Sequence, residues 1–314
     1  MEDVKASLLV LGDFAWDLLI RTNSELLPGG DTFGEILLVP GGTAANVAVW
    51  ATRCGLPTSF VGKVGRDSFG ELAQENLSEE GVTAHLIRTS AHPTAAVAVW
   101  IDQRGERSMV SGRGADFYLL PSELPKRVLA SARHLHLSAW SFFTDPPRAA
   151  AREAARRVKA AGGGVSFDPG SFQLIREGGV DRFLRRTQDI GIDLLFPNLE
   201  EGQVLSGERE PERVAEVLAE LYTGATVALK LDDEGALLFQ KGRATHIPPT
   251  PSHLIDATGA GDAFAGAFLA RYLQGASVTQ AGRFATEVSA WVIEQVGARP
   301  KPDARLEGLL RATS

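Results

Sequence analysis

Hydrophobic positions along the chain fall into short, nearly continuous apolar runs separated by longer stretches in which apolar residues recur at helical spacing. The runs at 7–12 (SLLVLG), 58–65 (TSFVGKVG), 134–140 (HLHLSAW), 164–170 (GVSFDPG), 193–198 (DLLFPN) and 226–232 (TVALKLD) are bounded by Gly, Pro or Asp and predict core strands. Helices are predicted over 43–54, 67–80, 121–132, 146–161, 199–205, 211–222, 260–274 and 278–296. Strands with no polar alternation suit a parallel sheet covered on both faces, and their alternation with helices is the pattern of an α/β fold.

Two regions break that alternation. Residues 17–40 (DLLIRT and GEILLV around LPGGDTF) and 94–112 (TAAVAVWID and ERSMVSG around QRG) predict hairpins without helices, a small second sheet lying as a flap over the strand ends. Residues 235–249 predict antiparallel strands that close one sheet edge. The whole of 1–314 therefore reads as one α/β domain, with lid strands inserted at about 13–40 and 94–113. The Ala/Arg-rich stretch at 148–161 reads as a helix whose arginines form a solvated face.

Composition narrows the partners. A chain of 314 residues with 44% hydrophobic and 23% charged content can bury a large core. A net charge of -7 and a pI near 5.5 argue against nucleic acid or an anionic membrane as partner, since both need a positive field. The lone Cys54 excludes an intrachain disulfide and a Cys-rich zinc site, in keeping with a reducing cytoplasm. The start MEDVKASLLVLG lacks the basic flank of a signal peptide, and no run approaches the roughly 18 apolar residues of a membrane span. The expectation is a soluble cytoplasmic protein.

Three glycine- or carboxylate-bearing stretches carry the candidate chemistry. No P-loop pattern occurs, and Phe264 stands where a dinucleotide fingerprint needs its third glycine. In DATGAGDAF (256–264), Gly259 and Gly261 can turn backbone N–H groups toward an anion at a helix N-terminus, with Asp262 in the first turn. The same letters also describe Thr258 as an ordinary N-cap and Asp262 as a complement to the helix dipole. In PGGTAANVAVW (40–50), Gly41 and Gly42 allow close approach to a ligand and Asn46 offers a donor and an acceptor, or the stretch is only a strand-to-helix turn. In FPNLEE (196–201), Asn198 and Glu201 could organise a hydrated magnesium ion or form a capping box. His134 and His136 read as packed strand histidines, with no third ligand at metal spacing. Trp16, Trp100 and Trp140 read equally as pocket wall or core, and Arg113 as a lid arginine that is either solvated or able to reach a phosphate or acidic sugar.

Taken in this order, the stretches resemble the PfkB (ribokinase-like) family of carbohydrate kinases, over nearly the whole chain. GGTAANVAVW with VGKVGRDSFG (61–70) is similar to the family's N-terminal signature, DATGAGDAF to its C-terminal signature, and NLEE to its N-x-x-E motif. The resemblance implies a three-layer α/β/α sandwich with a small β-sheet lid, and ATP-dependent phosphorylation of a hydroxyl on a sugar or sugar-like acceptor. It implies Asp262 as catalytic base, the backbone of Gly259, Ala260 and Gly261 as anion hole, and Asn198 and Glu201 as organisers of Mg2+. It further implies Asp13, Asp17, Gly41, Gly42 and Asn46 as acceptor contacts, joined by Arg113 from the lid, and Lys230, Gly235, Thr258 and Thr286 around the nucleotide. A homodimer through the lid and a monovalent cation such as K+ beside the 256–262 loop belong to the same implication. The helix N-terminus is expected to lower the Asp262 pKa and make it a weak base, tolerable where the hydroxyl loses its proton late.

The chain departs from the family pattern at four points. Asp232 occupies a usual glycine in LDDEG (231–235), FDPG (167–170) lacks the Asn and Arg that often follow Asp-Pro, Thr286 replaces a frequent Asn, and Thr43 stands where ribokinases commonly carry Lys. The acceptor therefore stays open. A nucleoside kinase of the same fold and a catalytically silent sugar- or nucleotide-sensing module are the rival readings.

Overall fold

The computed structural model describes residues 8–26, 29–102 and 107–312. The QRG turn at 103–105, Leu27 and Pro28 of the first hairpin loop, and the acidic start at 1–7 lie outside the described residues. The N-terminal half comprises β1 (Leu8–Leu11), β2 (Ala15–Thr22), β3 (Gly34–Gly41), α1 (Thr43–Arg53), β4 (Thr58–Gly65), α2 (Ser68–Glu79), β5 (Thr83–Thr89), β6 (Ala95–Ile101), β7 (Arg107–Ser111), α3 (Lys126–Ser131), β8 (His134–Ser138), α4 (Trp140–Phe143) and α5 (Pro147–Ala160). There follow β9 (Gly164–Asp168), α6 (Phe172–Gly178), α7 (Val180–Thr187), β10 (Leu194–Leu195), α8 (Leu199–Ser206), α9 (Pro211–Leu221) and β11 (Thr226–Lys230). The chain closes with β12 (Ala236–Gln240), β13 (Arg243–Ile247), α10 (Ala260–Leu273), α11 (Val278–Ile293) and α12 (Ala304–Ala312).

The large sheet runs in the order β13-β12-β11-β10-β9-β8-β1-β4-β5. It is parallel from β5 to β11, and β12 and β13 add the antiparallel edge expected from 235–249. Its continuous apolar strands follow from burial on both faces: in β1, Leu8 and Val10 point into one core and Leu9 and Leu11 into the other. The first core is covered by α1, α2, α10, α11 and α12, the second by α3 and α5 to α9, which makes the three-layer α/β/α sandwich.

Close packing of α10 on α1 sets up the site. Gly266 permits it, because a Cβ there would stand 2.7 Å from the Cβ of Trp50. One helical turn earlier on each helix lie Asp262 and Asn46, so the same contact brings those two side chains together.

The second sheet has the order β3-β2-β6-β7, with β2 and β6 parallel and the outer pairs antiparallel. These are the two regions without helices, and the flap is a four-stranded lid. Elsewhere the structure corrects the sequence reading. Residues 83–89 (TAHLIRT), half polar and so without a continuous apolar run, form the edge strand β5. The helix expected at 121–132 is split, with a 3-10 turn at Pro121–Glu123 and α3 beginning only after Pro125, whose ring cannot continue a helix. The strand expected at 193–198 shrinks to Leu194–Leu195, the one at 134–140 ends at Ser138, and α6, α7 and α12 were not anticipated.

Candidate active site

The expected cap at Thr258 is not the one that forms. Gly259 is the N-cap of α10, in the left-handed region with φ 76°. A Cβ on it would lie 2.6 Å from the Cα of Ala298, so both backbone angle and space call for glycine. Asp256 holds the loop from behind, its carboxylate accepting from the N–H of Thr258 at 2.8 Å and of Gly297 at 2.9 Å. Ala260 turns its N–H back to the carbonyl of Ala257 at 3.3 Å. The N–H groups of Gly259 and Gly261 have no partner among the described residues.

Asp262 Oδ2 accepts from Asn46 Nδ2 at 2.7 Å, and Asn46 Oδ1 accepts from Arg299 Nε at 2.6 Å. Burial pushes the Asp262 carboxyl up to about 8; the Asn46 hydrogen bond and Lys230 oppose this, while the Asp168 and Asp13 carboxylates reinforce it. The direction is opposite to the lowered value expected, because desolvation and two like charges raise it.

At the other side, Asp13 follows β1 and caps α1 from a distance. Its Oδ2 accepts from Thr43 N–H at 2.8 Å, and its Oδ1 from Ala44 N–H at 3.3 Å and Ser138 Oγ at 3.1 Å. Gly42 (φ 91°) passes so close that a Cβ would meet the Asp13 carbonyl at 2.7 Å, and a Cβ on Gly41 would meet Asp17 Oδ2 at 2.4 Å. Asp13, Asp17, Asn46, Asp262 and Gly259 all line a cavity of about 640 Å³. The lid roofs it with alternate residues, among them Leu19, Leu37, Val39, Val97, Val99 and Met109. Burial raises the carboxyl of Asp17 to about 6 against the opposing charge of Arg299, and that of Asp116, also in the lining, to about 7.

Three expectations are redistributed here. Arg113 is exposed and does not line the cavity. Trp140 does line it, whereas Trp16 is buried with its Nε1 donating to the Phe69 carbonyl, and Trp100 lies on the lid positions alternate to the lining ones. His134 and His136 are buried in β8, with pKa values drawn down to about 4 and about 3 by burial, as packed neutral rings.

Behind the glycine loop, Lys230 at the end of β11 pairs with Asp168 at 2.9 Å, and its Nζ lies 3.1 Å from where a Cβ on Gly261 would stand. Asn198 and Glu201 form the capping box, Asn198 Oδ1 accepting from Glu201 N–H at 2.8 Å and Glu201 Oε2 from Asn198 N–H at 2.9 Å. Burial and the Asp168 charge raise Glu201 to about 7 against the pull of Lys230. Two buried carboxylates facing one ammonium leave an excess of negative charge. Magnesium takes one or two carboxylates together with phosphates and water, and this donor set is of that kind. Asp232 adopts φ 51°, the conformation a glycine would supply, so the departure in LDDEG keeps its turn. At Gly235 (φ 89°) a Cβ would strike the Ile247 carbonyl at 2.2 Å. Thr286 is buried in α11 and spends its hydroxyl on the Gly282 carbonyl at 3.0 Å.

Sequence reasoning missed Asp168, Arg299 and Asp116. Asp168 ends a predicted strand in FDPG and could have been flagged from that placement; Arg299 in GARP and Asp116 in GAD carry no local pattern. Among the described residues no helix is long and apolar enough to cross a membrane.

The sequence profile of the pfkB family carbohydrate kinases matches residues 5–305. A fructokinase of Escherichia coli is 33% identical over 270 residues, which cover 85% of this chain and 84% of that protein. An adenosine kinase from Sinorhizobium meliloti superposes with a TM-score of 0.88 at 24% identity, covering 99% of this chain and 100% of the other. A protein from E. coli crystallised with ATP and Mg2+ superposes with a TM-score of 0.85 at 23% identity, covering 98% and 99%.

Proposed function

The chain belongs to the pfkB family of carbohydrate kinases, and from that premise we propose that it transfers the γ-phosphoryl group of ATP to a hydroxyl of a sugar or sugar-like acceptor, with Asp262 as base. The observation that carries this reading is the placement of Asp262: half-buried, in the first turn of α10, beside glycine N–H groups that have no partner among the described residues, and in the lining of the cavity of about 640 Å³. The acceptor hydroxyl meets the Asp262 oxygen that Asn46 leaves to the cavity, while Asp13 and Asp17 accept from its other hydroxyls. Gly259 and Gly261 direct their N–H groups at the charge that spreads over the transferring phosphoryl oxygens, and Lys230 adds a cation next to them. A carboxyl raised to about 8 is well matched to take a proton near neutral pH, and a better base than an unperturbed aspartate. Glu201, with Asn198 and Asp168 beside it, would hold Mg2+ through its water shell; the ion supplies charge neutralisation to the phosphates.

A nucleoside acceptor is the second reading, favoured by Trp140 in the cavity wall, whose ring could stack a base. Purified protein assayed with ATP and Mg2+ against sugars and nucleosides separates the two: turnover confined to nucleosides reverses the order, and no turnover with any acceptor revives a silent sensing module. We also read the lid as a dimer surface. Ile36, Leu38 and Val110 lie on lid positions alternate to the cavity-lining ones and are exposed, and a second lid would cover them.

A further inference from the structure

We propose that Arg299 is a positioning residue for the transfer step: it fixes the side-chain amide of Asn46 and, through it, the orientation of the Asp262 carboxylate. This rests on the reading of Asp262 as base.

The argument begins with donors and acceptors. An arginine can only donate, so an amide it holds must turn its oxygen to the guanidinium and its NH2 group to the opposite side, whichever protonation state the carboxyl there is in. Arg299 Nε donates to Asn46 Oδ1 at 2.6 Å, which forces Nδ2 toward Asp262 Oδ2 at 2.7 Å. Without the guanidinium, the amide can turn and set its carbonyl oxygen against the carboxylate, and Asp262 loses its fixed rotamer. Two further donors of Arg299 are committed as well, one on Nη1 to Asn76 Oδ1 at 2.9 Å and one on Nη2 to the Gly41 carbonyl at 2.9 Å. Burial draws its pKa down to about 10, still well above neutral, so it stays charged and purely a donor.

The backbone that carries Arg299 is itself fastened residue by residue. Gly297 N–H is held by Asp256, the Ala298 carbonyl by Trp50 Nε1 at 2.9 Å, and the Pro300 carbonyl by Arg53 Nη1 at 2.8 Å. The Cα of Ala298 is also what Gly259 packs against. One short segment, 297–300, thus abuts the glycine loop and aims the group that orients the base. A lysine could replace the charge but not the fork that reaches Asn46, Asn76 and Gly41 at once.

The test compares Arg299→Ala, Arg299→Lys, Asn46→Ala and the double variant Arg299→Ala/Asn46→Ala, each checked for folding by thermal melting. Arg299→Ala is expected to lower kcat by about 10- to 10²-fold, the scale of a misplaced reacting group, with KM for ATP within about twofold of wild type. The double variant should lose little more than Asn46→Ala alone, because the two residues act as one unit. Millimolar guanidinium ion should restore part of kcat in Arg299→Ala and none in Asn46→Ala. Losses that multiply in the double variant, absence of rescue, or an effect confined to KM for the acceptor would overturn the proposal. Should Arg299→Ala fail to fold, Arg299→Lys decides: it should melt near wild type with kcat still reduced, and wild-type kcat would overturn the proposal. If Asp262→Asn turns over normally, it is the reading of the base that fails, an outcome separate from any result at Arg299.

Discussion

The two ends of the cavity are built on opposite physical terms. At the transfer end, the charged and amide groups are buried or half-buried and each is tied to another element: Asp262 to Asn46, Asn46 to Arg299, Lys230 to Asp168. At the lid end, the alternate residues of the wall are mostly apolar and need no directional partner, though Asp17, Arg21, Glu35 and Ser111 share those positions, and the opposite positions leave Ile36 and Val110 exposed at 65% and 73%. Buried charge tolerates little displacement, since an unpaired group costs several times what a lost methylene does. An apolar wall can change shape at small cost. The difference teaches where variation can reside: on the proposed reading, the chemistry is locked at one end, and acceptor choice is left to the other.

The largest effect should come from the transfer end. Asp262→Asn keeps the shape and the contact to Asn46 but cannot accept the proton, so kcat should fall by about 10²-fold or more while ATP binding, measured by calorimetry, stays nearly unchanged. Turnover close to wild type would remove Asp262 from the mechanism.

Next in size is Gly259→Ala. A left-handed φ of 76° costs a non-glycine residue about 1–2 kcal/mol, and the new Cβ would press on the Ala298 backbone at 2.6 Å. The loop must shift, and with it the N–H groups beside Asp262; kcat should drop by about 10-fold or more and the melting temperature should fall. If the variant melts and turns over as wild type does, the glycine loop is not the rigid cradle described.

The same contrast governs what the sequence could reveal. The transfer end was legible because its parts are consecutive: a glycine turn, a first-turn aspartate and an N-x-x-E cap each fit within a few residues. Even so, the Asp262 pKa is shifted the opposite way from that expected, because burial and the Asp168 and Asp13 charges come from parts of the chain distant in sequence. Arg299 was invisible for the same reason, lying 253 positions from the amide it holds. The lid's existence followed from two helix-free apolar regions, but the side each residue faces depends on register, such as Leu37 opposite Leu19 and Val99 beside it. The α/β alternation was read from apolar runs, and failed where β5 is only half-buried and where Pro125 broke a helical period.

A smaller effect separates function from stability at the transfer end. A carboxyl whose pKa rises from 3.8 to about 8 on folding holds its proton more tightly in the native state. Stability is therefore fully present below the unfolded value and is lost as pH climbs through the window from about 4 to about 8. Asp262→Asn removes that loss. Its melting temperature should exceed wild type by about 3 °C or more at pH 8, with the gain gone at pH 4. A deficit at pH 8 would mean that the carboxylate is comfortably solvated or paired when charged.

The mildest prediction bears on the lid, and it divides adjacent residues. Leu37 faces the cavity and Ile36 does not. Leu37→Ala removes apolar wall from a residue that is 53% exposed in the free protein, so only part of a full side-chain burial is at stake, about 1 kcal/mol. KM for the acceptor should rise by about three- to tenfold, with kcat and KM for ATP close to wild type. Ile36→Glu should leave all three constants near wild type and instead convert a dimer to a monomer in sedimentation analysis, because a charge would have to be buried between lids. If Ile36→Glu raises the acceptor KM as much as Leu37→Ala does, the strand's two faces are not separate, and the lid cannot assign one to the acceptor and the other to a second copy.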